Sequence, residues 1–270
     1  MAKSPGIYGI WDDYPSDCVR PKVSVVLPAM NEARNLPFVA ERMPHDIDEL
    51  VFVDGRSTDD TVQISKMLWP NAVQVTQTRK GKGNALACGF EAATGDIIVM
   101  LDADGSTDPQ EIPRYVNALT SGADFAKGSR FIRGGGSADI TQMRRMGNWG
   151  LNAIVNNLFA SRFTDLCYGY NAFWRRCLDV MALPSSGSTG HQWGDGFEVE
   201  TLINVRIAAS DLRLVEVHSF ESERIHGVSN LNAFSDGLRV LRTIRREFAN
   251  SRSERPVLPT TQVAQVPSAL

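Results

Sequence analysis

A chain of 270 residues can bury one substantial core and needs no second domain. Its 28 basic and 31 acidic residues leave a formal net charge of -3, which selects no nucleic-acid partner, so any anion site must be local. The longest apolar run, around Ile97 to Leu101, falls far short of the roughly 18 to 20 residues that span a bilayer as a helix.

Met1 to Lys22 lacks a basic start followed by an apolar stretch, so residues 1–22 read as an N-terminal extension and a cytoplasmic location is the default expectation. Strand-like runs follow at Val23 to Leu27, Leu50 to Val53, Val73 to Thr76 and Ile97 to Leu101, each short, β-branched-rich and bounded by turn residues. Their near-continuous apolar character suits parallel strands covered on both faces. Helix starts are readable between them: Ser57-Thr58-Asp59-Asp60 offers a capping-box-like pattern, and Asp108-Pro109 sets a cap before a proline at the first helical position. Residues 23–130 thus read as a β-α-β-α-β-α-β nucleotide-sugar-binding half of an α/β fold.

The second half, 131–250, is less regular and reads as the acceptor side. Gly134-Gly135-Gly136 and Pro184 to Gly190 are expected to be mobile loops able to close over substrates. Helical patterns return at Ile140 to Phe159, Glu198 to Ala209 and Asn232 to Asn250. Met143, Met146, Trp149, Ile154 and Leu158 read as a core stripe, and Arg239, Arg242 and Arg246 as a solvated basic face. Residues 251–270 contain Pro and Ser without apolar periodicity and read as a disordered tail. Cys18, Cys88, Cys167 and Cys177 form no CxxC pair and read as reduced, structural thiols.

In an open parallel sheet, ligands sit outside the carboxyl ends of the strands. Here those ends run into Pro28-Ala29-Met30-Asn31-Glu32, Asp54-Gly55-Arg56-Ser57 and Asp102-Ala103-Asp104-Gly105, so three acidic segments should converge on one crevice. Asp102 and Asp104, one small residue apart, suit Mg²⁺ or Mn²⁺ with coordination positions left for diphosphate oxygens. Asp46-Ile47-Asp48 has the same spacing but precedes a strand, and is expected to be structural. The basic, glycine-rich Arg79-Lys80-Gly81-Lys82-Gly83-Asn84 leads into a helix, where close backbone approach and a helix N-terminus favour anions. Its spacing matches neither the GxxxxGK[ST] loop nor GxGxxG.

Taken in order, these segments resemble the family two glycosyltransferases, in particular the dolichyl- or polyprenyl-phosphate mannose synthase-like branch, over about Val23 to Ile244. The likeness is carried by Val25 to Glu32, Val53 to Asp59, Gly81-Lys82-Gly83, Thr94-Gly95-Asp96 leading to Asp102-Ala103-Asp104, Gly128-Ser129-Arg130-Phe131 and Gly227-Val228-Ser229. It implies the type A glycosyltransferase fold, a single Rossmann-like nucleotide-binding domain with a mostly parallel sheet and acceptor-side helices. It also implies that Pro28, Asn31 and Glu32 border the nucleotide, Asp54 contacts the base, Asp102 and Asp104 flank the metal, and Lys82 and Arg130 face donor phosphate or sugar. Three positions depart from the family pattern: Arg56 follows Asp54-Gly55 where DDGS is common, Ser106 stands where Gln is common, and Asn230 stands where Lys or Arg is common.

His191 to Glu200 resembles the acidic segment that these enzymes place near the acceptor, making Asp195 the first candidate acceptor-side catalytic residue and Asp165 the second. If the acceptor is a lipid phosphate, Asp195 need not act as a base, because a phosphate monoester is already largely ionised at neutral pH. Arg224-Ile225-His226-Gly227 is placed to reach the diphosphate, with His226 a candidate extra metal ligand. The expected reaction is inverting transfer of a hexose from a nucleotide sugar of the GDP-mannose or UDP-glucose type to a polyprenyl phosphate, with which a peripheral membrane contact is compatible. Transfer to a sugar or natural-product hydroxyl is the alternative, and a sugar-phosphate nucleotidyltransferase a remoter one.

Overall fold

The structure, a computed structural model, describes residues 9–11, 14, 19–227 and 233–253. Strand β1 (Val23–Ala29), helix α1 (Leu36–Arg42), β2 (Glu49–Asp54), α2 (Thr61–Leu68), β3 (Val73–Thr76), α3 (Lys82–Ala92) and β4 (Ile97–Met100) follow one another in the alternation read from the sequence. Then come a short 3-10 turn (Pro109–Glu111), α4 (Ile112–Thr120), β5 (Phe125–Ser129), β6 (Gly136–Ser137), α5 (Gln142–Phe159), β7 (Asn171–Trp174) and α6 (Cys177–Met181). The last elements are α7 (Val199–Ala208), β8 (Leu214–His218), β9 (Phe220–Glu221) and α8 (Ala233–Ser253).

Seven strands form one sheet in the order β3-β2-β1-β4-β7-β5-β8. Every neighbouring pair is parallel except those of β7, which runs antiparallel to both β4 and β5. Residues 171–174, from the second half, are thus inserted into the sheet begun by the first 130, and the two halves share one core.

Side chains alternate across the sheet with the two-residue period of a strand. Val23, Val25 and Leu27 join α1 and α4 on one face. Val26, Val51 and Val53 join α3, α6 and α7 on the other. Phe173 lies at its middle, stacked on Phe125 at 5.5 Å and edge-on to Phe90 at 5.4 Å. A smaller cluster, including Val155, Val205, Val240 and Ile244, ties α5 and α8 to α7. From the N-terminal extension, Ile10 is buried in the first cluster, and Asp46 accepts the Trp11 backbone N–H at 3.3 Å. Asp48 accepts the Val23 N–H at 2.9 Å, so both acids of Asp46-Ile47-Asp48 hold backbone in place, as expected of a structural pair.

Two expectations need correcting. Pro184 to Gly190 is not a free loop: the buried Arg79 guanidinium donates to the carbonyls of Ser185, Ser186 and Ser188 at 2.9, 3.1 and 3.0 Å, and Glu91 accepts the Ser186 N–H. Likewise, Gly136 bonds Ser219 and opens the β6–β9 ladder. The apolar stripe of α5 is not all core either, because Met143, Met146 and Trp149 are each 74% exposed. What α5 turns inward is an amide ladder. Asn152 accepts from Leu166 N–H at 2.9 Å and donates to the Thr164 carbonyl, and Asn156 accepts from Phe163 N–H at 2.7 Å and donates to its carbonyl at 2.8 Å. Arg242 and Arg246 of α8 are exposed, as the basic face requires. Among the described residues, no helix is long and apolar enough to cross a membrane. Residues 254–270 of the predicted tail, and Val228, Ser229 and Asn230, lie outside the described residues.

Candidate active site

The carboxyl ends of β1, β2 and β4 open onto a cleft of about 1440 Å³. Its inner end is charged, lined by Glu32, Lys80, Lys82, Asp102, Asp104 and Arg224, beside Pro28 and Gly55. Its outer end is mainly apolar, with Met143, Met146, Leu151 and Ile154 of α5, interspersed with Arg144 and Asn148, and Leu238 and Leu241 of α8.

Asp102 and Asp104 follow β4 after Leu101, and both line the cleft. Lys82, the first residue of α3, reaches Asp102 Oδ1 at 2.7 Å and Oδ2 at 3.0 Å, and Glu200 Oε1 at 2.6 Å. Burial alone would lower the Lys82 pKa, but the charges of Asp102 and Glu200 outweigh it and hold the ammonium above its ordinary value. Asp104 accepts from the Ser106 N–H at 2.9 Å and hydroxyl at 2.6 Å through Oδ1, and pairs through Oδ2 with Arg224 at 2.7 Å. The other arm of Arg224 meets Glu32 at 2.9 Å. Burial pushes the Glu32 carboxyl upward, with Asp104 adding to the rise, against the opposing effects of Asn35 and Arg224.

The N-terminus of α3 is fixed by close backbone contact. The Gly83 N–H donates to the Asp195 carbonyl at 2.8 Å, and a methyl group on Gly83 would overlap the Gly194 carbonyl oxygen. Gly81, at φ +127°, takes a backbone conformation that L side chains rarely adopt. The glycines therefore dock the basic loop on the 194–196 turn and leave Lys80 and Lys82 facing the cleft.

Of the residues singled out from the sequence, the structure brings Pro28, Glu32, Lys82, Asp102, Asp104, Arg130 and Arg224 to the cleft wall. Asn31 and Asp54 are engaged in turns and are not among the lining residues. Asn31 accepts from Thr58 N–H at 2.8 Å, while Asp54 accepts from Ser57 N–H at 3.0 Å and Arg56 N–H at 3.1 Å. Asp195, 1% exposed, is gripped by Arg79 at 2.9 Å and by the Gln192 N–H at 2.8 Å. Burial pushes its pKa up, but the Arg79 hydrogen bonds, the Gln192 N–H and the nearby positive charges bring it below the ordinary value. Asp165 is fully buried and pairs with Arg130 at 2.7 and 2.9 Å, while Arg130 also meets Glu221 at 2.9 Å. The His226 ring lies beside Phe38, 5.9 Å between centroids, and no three metal-capable side chains gather at one point among the described residues. Cys167 lines the cleft, but burial and then the Asp165 charge push its thiol up to about 12, so it offers no thiolate at neutral pH.

Compared with known proteins, residues 24–180 match the family model described as Glycosyl transferase family 2. The chain belongs to that family. Among relatives, the polyprenol monophosphomannose synthase of Mycolicibacterium smegmatis is 30% identical over 226 residues, 79% of this chain and 83% of its own length. The undecaprenyl-phosphate mannosyltransferase of Micrococcus luteus is 29% identical over 233 residues, 83% of this chain and 93% of its own. Among solved structures, glucosyl-3-phosphoglycerate synthase from Mycobacterium tuberculosis, in complex with Mg²⁺ and uridine-diphosphate, superposes with a TM-score of 0.66 at 23% identity, covering 85% of this chain and 80% of that one. The fold of this family 2 chain is the type A glycosyltransferase fold that the sequence implied.

Sequence reasoning missed Glu200 and Glu221 as cleft residues. Glu200 sits inside the acidic segment already quoted, and its signal is a place in the first turn of α7, facing the Lys82 that begins α3. Glu221 had no local signal, since it meets Arg130 across 91 residues of chain.

Proposed function

We propose that this family 2 glycosyltransferase carries out metal-dependent, inverting transfer of a hexosyl group from a nucleotide sugar, of the GDP-mannose or UDP-glucose type, to a polyprenyl phosphate. The observation that carries the reading is the two-ended cleft, in which an acid pair with two cations at the inner end opens outward into an apolar passage between α5 and α8. The names of the two relatives, a polyprenol monophosphomannose synthase and an undecaprenyl-phosphate mannosyltransferase, support a lipid-phosphate acceptor.

The donor set of Asp102 and Asp104, hard carboxylate oxygens one residue apart on the cleft wall, fits Mg²⁺ or Mn²⁺. When bound there, such a cation supplies neutralisation of the charge that develops on the departing nucleoside diphosphate. Lys80, Lys82 and Arg224 bind the same diphosphate from the protein side, and Ser106 holds Asp104 in one orientation. Pro28, Glu32 and Gly55 border the nucleotide. The acceptor phosphate, with a second pKa of about 6, arrives ionised and attacks without surrendering a proton. This agrees with the burial of the two candidate acceptor-side acids, Asp195 and Asp165, each of which is held in an ion pair. The exposed Met143, Met146 and Trp149 beside the apolar mouth suit a peripheral contact with the membrane that holds the acceptor.

Incubation with labelled GDP-mannose or UDP-glucose and a polyprenyl phosphate tests the reading. The expected product is organic-extractable and disappears with chelator; accumulation of water-soluble glycosides alone overturns the lipid acceptor.

A further inference from the structure

Every carboxylate oxygen of the acid pair already has a partner. Lys82 covers both oxygens of Asp102, Ser106 holds Oδ1 of Asp104, and Arg224 holds Oδ2. We propose that Lys82 and Arg224 are internal counter-ions that withhold Asp102 and Asp104 from a divalent cation until a nucleoside diphosphate draws them away, so that cation and nucleotide bind as a pair. The inference rests on the donor reading given above and adds to it an order of events.

Four carboxylates, Glu32, Asp102, Asp104 and Glu200, share the two cations. A divalent ion approaching alone must compete with ion pairs of 2.7 Å at each aspartate. An incoming diphosphate changes the contest, because it offers Lys82 and Arg224 oxygens of higher charge density than a shared carboxylate and frees the aspartates as it does so.

The side chains are mounted for such a move. Arg224 lies on a strap anchored on both sides, by the Ser222 N–H donating to the Ser106 carbonyl at 2.8 Å and by Asn35 Nδ2 donating to the His226 carbonyl at 3.1 Å. Lys82 stands on a helix start whose glycines are locked to the 194–196 turn. In both cases the main chain stays still while a long side chain turns from acid to phosphate. Both side chains border the cleft and keep partial exposure, 17% for Lys82 and 25% for Arg224, which leaves room for the turn.

The experiment is a Mn²⁺ titration followed by the electron paramagnetic resonance signal of the free ion, on the full chain, with and without UDP or GDP. Lys82→Met and Arg224→Met are compared with the parent after melting curves establish that each is folded. Without nucleotide, each variant is expected to bind Mn²⁺ about tenfold or more tightly than the parent, since removing a counter-ion leaves an aspartate unpaired. The coupling between Mn²⁺ and nucleotide should shrink correspondingly, and by reciprocity the nucleotide's own gain from Mn²⁺ should shrink by the same factor. Variants that match the parent in the absence of nucleotide overturn the counter-ion proposal and leave the donor reading standing. A parent protein that retains no Mn²⁺ with either nucleotide overturns the donor reading, and this inference with it. Because Arg224 lies on a surface strap, its variant decides the matter if Lys82→Met fails to fold.

Discussion

Asp104 and Asp195 show how little residue type says about role. Both are aspartates beside an arginine, yet Asp104 lies on the cleft wall and Asp195 is sealed beneath it. Asp104→Asn keeps the shape and a carbonyl oxygen for Ser106, but loses the charge that a divalent ion and Arg224 both use. Mn²⁺-dependent binding of UDP or GDP, measured by calorimetry, should weaken at least about a hundredfold. Unchanged affinity would remove Asp104 from the site. Asp195→Asn should act instead on stability, because it strands the buried Arg79 guanidinium; breaking such a pair costs about 3 to 5 kcal/mol. The folded pKa of Asp195 lies below its ordinary value of 3.8, so the stabilisation is fully present above pH 3.8 and fades as pH falls through the lower folded value. Urea unfolding curves of parent and variant should therefore differ at pH 7 and converge in acid. A variant with parental stability and no turnover would restore Asp195 as a base.

At the scale of elements, the strands were legible because runs of β-branched and aromatic residues such as Val51-Phe52-Val53 need only local physics to declare themselves. The acid pair was legible for the same reason, standing directly after a strand in a fold whose ligands bind at strand ends. What stayed hidden depends on pairing across distance. Nothing near Asn171 announces that β7 inverts the sheet direction, and Arg79 meets Asp195 across 116 residues. Lys127 is fully buried in β5, donating to the Gly128 carbonyl at 3.0 Å and to that of Tyr168, although lysine composition argues for the surface. Helix α5 misled because its methionines share helical spacing with its asparagines, and periodicity does not tell which stripe faces in. The asparagines do, since amides can complete the backbone hydrogen bonds of 163–167 as a neighbouring strand would. Asn152→Ala should then cost about 1 to 3 kcal/mol, leaving Leu166 N–H and the Thr164 carbonyl without that partner. Met146→Gln, on the exposed stripe, should change stability by less than about 0.5 kcal/mol. Denaturant midpoints check both, and the opposite ranking would mean that the apolar stripe carries the packing.

For the whole molecule, the cleft sets a polarity. One end is lined by charge, while the other is an apolar mouth lined by Met143 and Met146, with the exposed Trp149 on the same helix. A water-soluble acceptor has no use for such a mouth, whereas a prenyl chain gains roughly 0.8 kcal/mol for each buried CH₂ group. On the lipid-acceptor reading proposed above, the exposed residues have a second use: side chains of this size placed in a bilayer are each worth about 1.5 to 3 kcal/mol, enough to hold the mouth against a membrane surface. The two uses separate experimentally. Replacing Trp149, which is 74% exposed and lies outside the cleft lining, by Gln should leave turnover of a short, water-soluble prenyl phosphate within about twofold, because surface changes rarely disturb the fold. Turnover of a long-chain acceptor embedded in vesicles should fall at least about tenfold, the factor that 1.4 kcal/mol of lost contact represents. Equal losses on both acceptors would show that Trp149 supports the site itself. No loss on either would detach this face from acceptor delivery, leaving the apolar passage to serve the lipid only after it has left the membrane.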